Sequence, residues 1–221
     1  MTSPAIIWDV DGTLLDTAKH HFRAWEQWAG EAGFPFTRAD FAATFGMRNP
    51  EVIRLLFLPN ANDDEAAKVA FDKEELYRQA VRRDGTELLP GVRNLLQQFR
   101  QLGWKQAIGS SAPRLNLELL LDVTDIREYF STVVSGDDVS IGKPNPEVFL
   151  VAAARLDTPP ANCIVIEDAV VGVQASVAAG MRCIAVTCAG HHTAEALSAA
   201  GAALVVTTLE EVTVNSSFGI Y

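Results

Sequence analysis

Positive charge is scarce in this chain. It carries 18 Lys and Arg against 28 Asp and Glu in 221 residues, a formal net charge of −10. An acidic chain repels phosphate backbones and anionic lipid, which argues against nucleic acid and membrane surfaces as partners. Any anionic ligand must then be held by local positive charge or a metal. No apolar run reaches the roughly 18 residues that span a bilayer, and the start, Met1-Thr2-Ser3-Pro4, carries no basic leader. Cysteine is limited to Cys163, Cys183 and Cys188, an odd number without a CxxC pair. A disulfide framework is therefore excluded, and free thiols in a reducing cytoplasm are expected. Repeats and low-complexity tracts are lacking as well, and 48% hydrophobic residues with 21% charged argue against disorder.

What is present is patterned. Short apolar or β-branched runs at 5–8, 105–109, 132–135, 163–166 and 182–186 read as buried strands, with a possible sixth at 203–206. The first runs on into Asp9-Val10-Asp11-Gly12-Thr13. Between them, 92–102, 146–156 and 169–179 read as helices; in the first, Val92, Leu95, Leu96, Phe99 and Leu102 recur at helical spacing. Alternating strands and helices with continuously apolar strands predict an α/β fold: a three-layer, Rossmann-like, doubly wound parallel sheet covered on both faces. Residues 16–86 break this rhythm with helical patterns at 17–32, 38–45, 50–57 and 64–83 and no convincing strand. They are expected to form an all-helical cap inserted into a core made of 1–15 and 87–221. Ligands of open parallel sheets bind beyond the carboxyl ends of the strands, so an insertion leaving just after the first strand would cover that site.

Four strand ends carry chemistry. Asp9 and Asp11 alternate along the first strand and point to one side, and two such acids are costly without a cation. Gly109-Ser110-Ser111 places hydroxyls and backbone N–H groups where a helix begins, a setting that binds anions. Gly142-Lys143-Pro144-Asn145-Pro146 sets one ammonium in a rigid turn, and Ile164-Val165-Ile166 ends in Glu167-Asp168. Singly these are an Asp-Gly turn, an N-cap, a solvated lysine and an exposed strand end. Together they place acid, hydroxyl, ammonium and acid at successive strand tips. Gly172 opens the last helix where close packing is needed. His191-His192 follow Gly190 and read as loop residues, since adjacent side chains diverge.

With those residues in view, the chain resembles the haloacid dehalogenase-like phosphohydrolase superfamily, through DVDGTLLDT at 9–17, IGSS at 108–111, GKPNPE at 142–147 and VIEDA at 165–169. The motifs follow the family order over nearly the whole chain, and the helical insertion is similar to the family's first cap type. The resemblance implies Asp9 as the nucleophile that becomes an aspartyl phosphate, and Asp11 as general acid and then base. It implies Ser110 and Lys143 as holders of the transferring phosphoryl group. It also implies Mg2+ on the Asp9 carboxylate, the Asp11 main-chain carbonyl and Asp168, with Glu167 as a further ligand or one acting through water.

Within the superfamily, 16–25 is similar to the hinge and first cap helix of the β-phosphoglucomutase-like group. His21 is implied to contact Asp11, and Lys73 to reach the site when the cap closes. Two departures fall where a mutase grips its second phosphate. Asn49 stands at its arginine position with Arg48 one residue early, and Ser111 is followed by Ala112-Pro113-Arg114. His21, Arg48, Lys73, Ser111 and Arg114 are thus the candidate substrate contacts.

The expected activity is a Mg2+-dependent phosphatase of a small phosphate ester, most plainly a sugar phosphate, in a cytoplasmic monomer or weak homodimer. A phosphohexomutase using the same aspartyl phosphate is the alternative. A phospho-acceptor switch would lack the helical insertion and the acid at Asp11. A dehalogenase would need neither metal nor Asp168.

Overall fold

A computed structural model of the chain describes residues 3–214. Residues 1–2 and 215–221, the two ends of the expected core segments, lie outside the described residues.

The apolar runs become six parallel strands: β1 (Ala5–Trp8), β2 (Lys105–Gly109), β3 (Thr132–Val134), β4 (Cys163–Glu167), β5 (Arg182–Val186) and β6 (Leu204–Val206), in the order β3-β2-β1-β4-β5-β6. Side chains alternate along a strand, and this sorts the core into two layers. Ile6, Trp8, Ile108, Ile164 and Ile166 face helices α5 (Val92–Gln101) and α6 (Arg114–Thr124). Ala5, Ile7, Ala107 and Val165 face α7 (Glu147–Arg155), α8 (Val170–Ala178) and α9 (Ala194–Ala199). The three-layer doubly wound fold expected from the alternation is therefore present. Strand order reverses at β1, between β2 and β4, which is the switch point where such sheets place their ligands.

Between β1 and α5 lie four helices: α1 (Ala18–Ala32), α2 (Arg38–Thr44), α3 (Asn49–Leu56) and α4 (Asp63–Asp84). Their facing sides form a hydrophobic cluster of their own, with Phe22, Trp25, Phe41, Phe45, Ile53 and Phe57. Trp25 and Phe57 stack with ring centroids 5.4 Å apart. Two N-termini are closed by capping boxes, Thr37 with Asp40 at α2 and Asn62 with Glu65 at α4. The chain leaves and re-enters the sheet region side by side: Leu89 N–H donates to the Leu14 carbonyl (2.9 Å) and Asp16 N–H to the Glu87 carbonyl (3.4 Å).

Three local readings change. The first strand ends at Trp8 instead of running through Thr13, because Gly12 takes φ +86 and the N–H groups of Thr13, Leu14 and Leu15 all turn onto the Val10 carbonyl. Helices α6 and α9 lie outside the helices expected from the pattern. In α6, leucines at 115, 117, 119 and 121 alternate as in a strand while 117, 120 and 121 recur at helical spacing, and packing of Leu117, Leu120 and Leu121 against the sheet decides the outcome. Among the described residues no helix is long and apolar enough to cross a membrane, and Cys163, Cys183 and Cys188 are free.

Candidate active site

At the switch point the tips of β1, β2 and β4 and the loop before α7 meet. Asp9 extends the ladder by one bond, its N–H donating to the Ile166 carbonyl (3.0 Å). Lys143 lies buried between Asp9 Oδ1 (2.6 Å) and Glu167 Oε1 (2.7 Å). Glu167 is fully engaged: its Oε2 accepts from the N–H groups of Asp168 and Ala169, both at 2.7 Å, at the entrance to α8. Burial alone would discharge Lys143, but the two carboxylates raise its pKa above the ordinary lysine value and keep it charged. Deleting this ammonium would leave two buried carboxylates unpaired, a loss of about 3–5 kcal/mol.

One cation does not balance three acids. Asp9, Glu167 and Asp168 present carboxylate oxygens within 4.8 Å of one another, all buried. Burial pushes Asp9 up to about 7 against the pull of Lys143, and the negative neighbours Glu167 and Asp11 add to the rise. Asp168 is raised further, by burial and then by Glu167 and Asp9. Its Oδ1 accepts from Thr13 Oγ1 (3.3 Å), whereas its buried Oδ2 has no partner. A Cβ on Gly12 would stand 2.1 Å from that Oδ2, so only glycine leaves this space open. An orphaned carboxylate oxygen in an all-oxygen cluster short of positive charge fits a hard divalent cation.

Asp11 turns away from this cluster toward α1. Its Oδ1 accepts from Thr17 Oγ1 (2.5 Å) and contacts His21 Nε2 (3.2 Å). Burial works to raise the Asp11 carboxyl, but His21 and Thr17 outweigh it and hold it below the usual range. His21 Nδ1 lies 2.8 Å from Lys73 Nζ. An ammonium only donates, so Nδ1 is the acceptor and Nε2 carries the ring proton toward Asp11. The His21 ring is stacked on Tyr77 at 4.0 Å between centroids.

A small cavity of about 60 Å3 joins these groups, lined by Asp9, Asp11, His21, Asn49, Lys73, Glu74, Ser110, Ser111, Glu167 and Asp168 among others. Ser110 is buried with its Oγ accepting from Ala112 N–H (3.1 Å). Arg48 and Arg114 are not brought to this cavity. Arg48 donates to the Ser140 carbonyl (3.1 Å), and Arg114 is paired with Asp138 and donates its N–H to Asp137 (2.8 Å). Sequence reasoning missed Glu74 in the lining, and Thr17 and Asn116 as the partners that hold Asp11 and Glu74. Thr17 stood inside the first motif and was accessible to it, and Asn49 was marked by its place at the arginine position; Glu74 and Asn116 had no local signal.

A parallel α/β sheet whose strand tips gather acids, a hydroxyl and a buried lysine under helical elements defines an enzyme built around a carboxylate centre. More particularly, a family model for haloacid dehalogenase-like hydrolases matches residues 4–180, and the chain belongs to that family. It is 32% identical over 188 residues to the β-phosphoglucomutase of Bacillus subtilis, covering 82% of both chains. It is 33% identical over 179 residues to a fructose-1-phosphate phosphatase of Escherichia coli, covering 81% of this chain and 94% of that one. The crystal structure of a β-phosphoglucomutase from Clostridium difficile superposes with a TM-score of 0.85 at 26% identity, covering 96% of this chain and 93% of the other. The protein is thus an enzyme of the phosphatase and phosphohexomutase type.

Proposed function

We propose that the protein is a phosphatase of a small sugar monophosphate, acting through an aspartyl phosphate on Asp9 with Mg2+ as its ion. The ion would be held by the Asp9 carboxylate, the Asp11 main-chain carbonyl and Asp168. When bound it offsets the charge of the acids and of the phosphoryl oxygens. Glu167, with both oxygens engaged by Lys143 and by α8, acts mainly by holding Lys143 in place. Lys143 and Ser110 receive phosphoryl oxygens.

Asp9 forms a bond to phosphorus as the bond to the ester oxygen breaks, and Asp11 gives that oxygen a proton. Water then attacks the acyl phosphate while Asp11 takes a proton back, releasing phosphate and restoring Asp9. The His21 and Thr17 contacts favour ionised Asp11, the form required for the second half. Those two donors belong to a cap made of residues 16–86, swinging on a core of 1–15 and 87–221, so cap movement changes the contacts that hold the Asp11 proton balance. Free thiols suit a reducing compartment, and we place the enzyme in the cytoplasm.

The observation that carries phosphatase over mutase is the commitment of Arg48 and Arg114 to partners outside the cavity. A mutase must hold a second phosphate while its bisphosphate turns around, and neither arginine is available for that. The test is incubation with β-glucose 1-phosphate, Mg2+ and a trace of glucose 1,6-bisphosphate. Free phosphate and glucose are expected; glucose 6-phosphate without released phosphate overturns the reading.

A further inference from the structure

The cavity above Asp9 has a second wall that the chemistry proposed above does not use. Of the described residues lining it, five are carboxylates, and Lys73 is the single lysine or arginine. Lys73 is itself committed, to Glu74 Oε1 (2.7 Å) and His21 Nδ1 (2.8 Å). Glu74 lies on α4 and is only 3% exposed. Its Oε1 also accepts from Asn49 Nδ2 (2.7 Å), and its Oε2 accepts from Asn116 Nδ2 (2.5 Å). Arg78 fixes the Asn116 amide by donating to its oxygen (3.0 Å).

Burial alone would raise Glu74, but Lys73, His21 and these donors hold it at about 2, so it is a carboxylate throughout the neutral range. A carboxylate has about four acceptor sites, and three are filled here. The Asn49 amide oxygen accepts from no described group. The wall therefore offers acceptors and fixed negative charge, and its one lysine is already paired with Glu74.

We propose that Glu74, with Asn49, sets specificity for the non-reacting end of the substrate: it accepts hydrogen bonds from the hydroxyls of an uncharged polyhydroxy tail and turns away tails bearing a second phosphate or a carboxylate. This rests on the phosphatase reading, since seating the reacting phosphate at Asp9 directs the tail toward the cap helices. The energetic reason is asymmetry. A hydroxyl replaces water at an acceptor with little loss, whereas an anion brought to this wall faces carboxylates whose one lysine is already shared with Glu74 and His21, and pays repulsion and desolvation together.

The test is calorimetric binding with Mg2+ in an Asp9→Asn background, which removes the nucleophile, using fructose 1-phosphate and fructose 1,6-bisphosphate. The monophosphate is expected to bind at least about tenfold tighter, and Glu74→Gln should shrink that ratio to within about threefold. Asn49→Arg adds a cation to the same wall and should shrink the ratio likewise, which guards against misfolding of the Glu74 variant. Equal or tighter bisphosphate binding before either substitution, or a ratio that neither substitution moves, overturns the proposal. Hydrolysis of p-nitrophenyl phosphate, whose tail is an uncharged ring, by the enzyme with Asp9 intact tests the phosphatase reading separately. If that hydrolysis is absent while the monophosphate preference persists, the chemistry falls and the charge filter stands. If hydrolysis is present without the preference, the filter alone falls.

Discussion

Asp9 and Asp168 sit where burial and like charge favour the protonated acid, and this has a sign that can be measured. An acid whose folded pKa is raised supports the fold fully below its unfolded value near 3.8 and loses that support as pH climbs, for Asp9 through about 7. Glu74 runs the other way, but its window lies between about 2 and 4.5 and stays clear of the neutral range. A divalent cation binds the ionised acids, so its stabilisation must grow with pH. The rise in Tm on replacing EDTA with Mg2+ should be small near about pH 5 and large near about pH 8, where the underlying stabilisation approaches about 2.7 kcal/mol when the ion is at a hundred times its Kd. An equal rise at both pH values would count against an acid-cluster metal site. Asp11 makes a different prediction. Asp11→Asn should lower kcat on a sugar phosphate by about 10²–10⁴-fold and far less on an aryl phosphate, whose leaving group needs no proton. Equal losses on both would remove Asp11 from the acid role.

At the scale of elements, the entrance to α8 decides whether the lysine is held. Glu167 reaches under the helix start, and a Cβ on Gly172 would stand 1.7 Å from its Oε1. Gly172→Ala should therefore displace Glu167 from Lys143, costing about 1–3 kcal/mol in urea unfolding together with most of the turnover. Gly30→Ala in α1, where a Cβ meets nothing within 4 Å, should leave turnover alone and stabilise by about 0.4–1 kcal/mol. Gly172 was readable as a close-packing glycine from its place after the Glu167-Asp168 pair. What it packs against was not readable, because Glu167, at the end of β4, reaches the start of α8 only once Lys143 and the N–H groups of Asp168 and Ala169 are both present. Helix α6 illustrates the same limit: its leucines name no face until the sheet supplies one.

Across the whole molecule, α1–α4 meet the sheet region through polar links, two adjoining strands of backbone and one apolar contact, in which Ala24, Tyr77 and Val81 join the cluster of Leu14, Leu15 and Leu117. Arg48 lies over Gly142, where a Cβ would stand 2.6 Å from its Cδ, and donates to Ser140. Asn116 meets Glu74, and Thr17 and His21 meet Asp11. Such hydrogen bonds are exchangeable for water at modest cost, whereas the aromatic cluster inside the helical region is not. Motion is therefore expected as a swing about the two crossings rather than as unfolding of the cap. Amide exchange at residues 15–17 and 85–89 should slow when Mg2+ and orthovanadate are added together. Unchanged exchange there, with vanadate bound, would rule out closure at these crossings.

The strand segments, the helical insertion and the candidates Asp9, Asp11, Ser110, Lys143, Glu167 and Asp168 all follow from the one-dimensional pattern. Each depends on local rules, namely period, turn residues and acids placed just past an apolar run. The wall formed by Asn49, Glu74 and Asn116, the tautomer of His21 and the diversion of Arg48 and Arg114 were settled only in three dimensions. Those features depend on which charges end up within hydrogen-bonding distance across segments far apart in the chain, and burial sets the strength of each such contact. No spacing along the sequence encodes that distance.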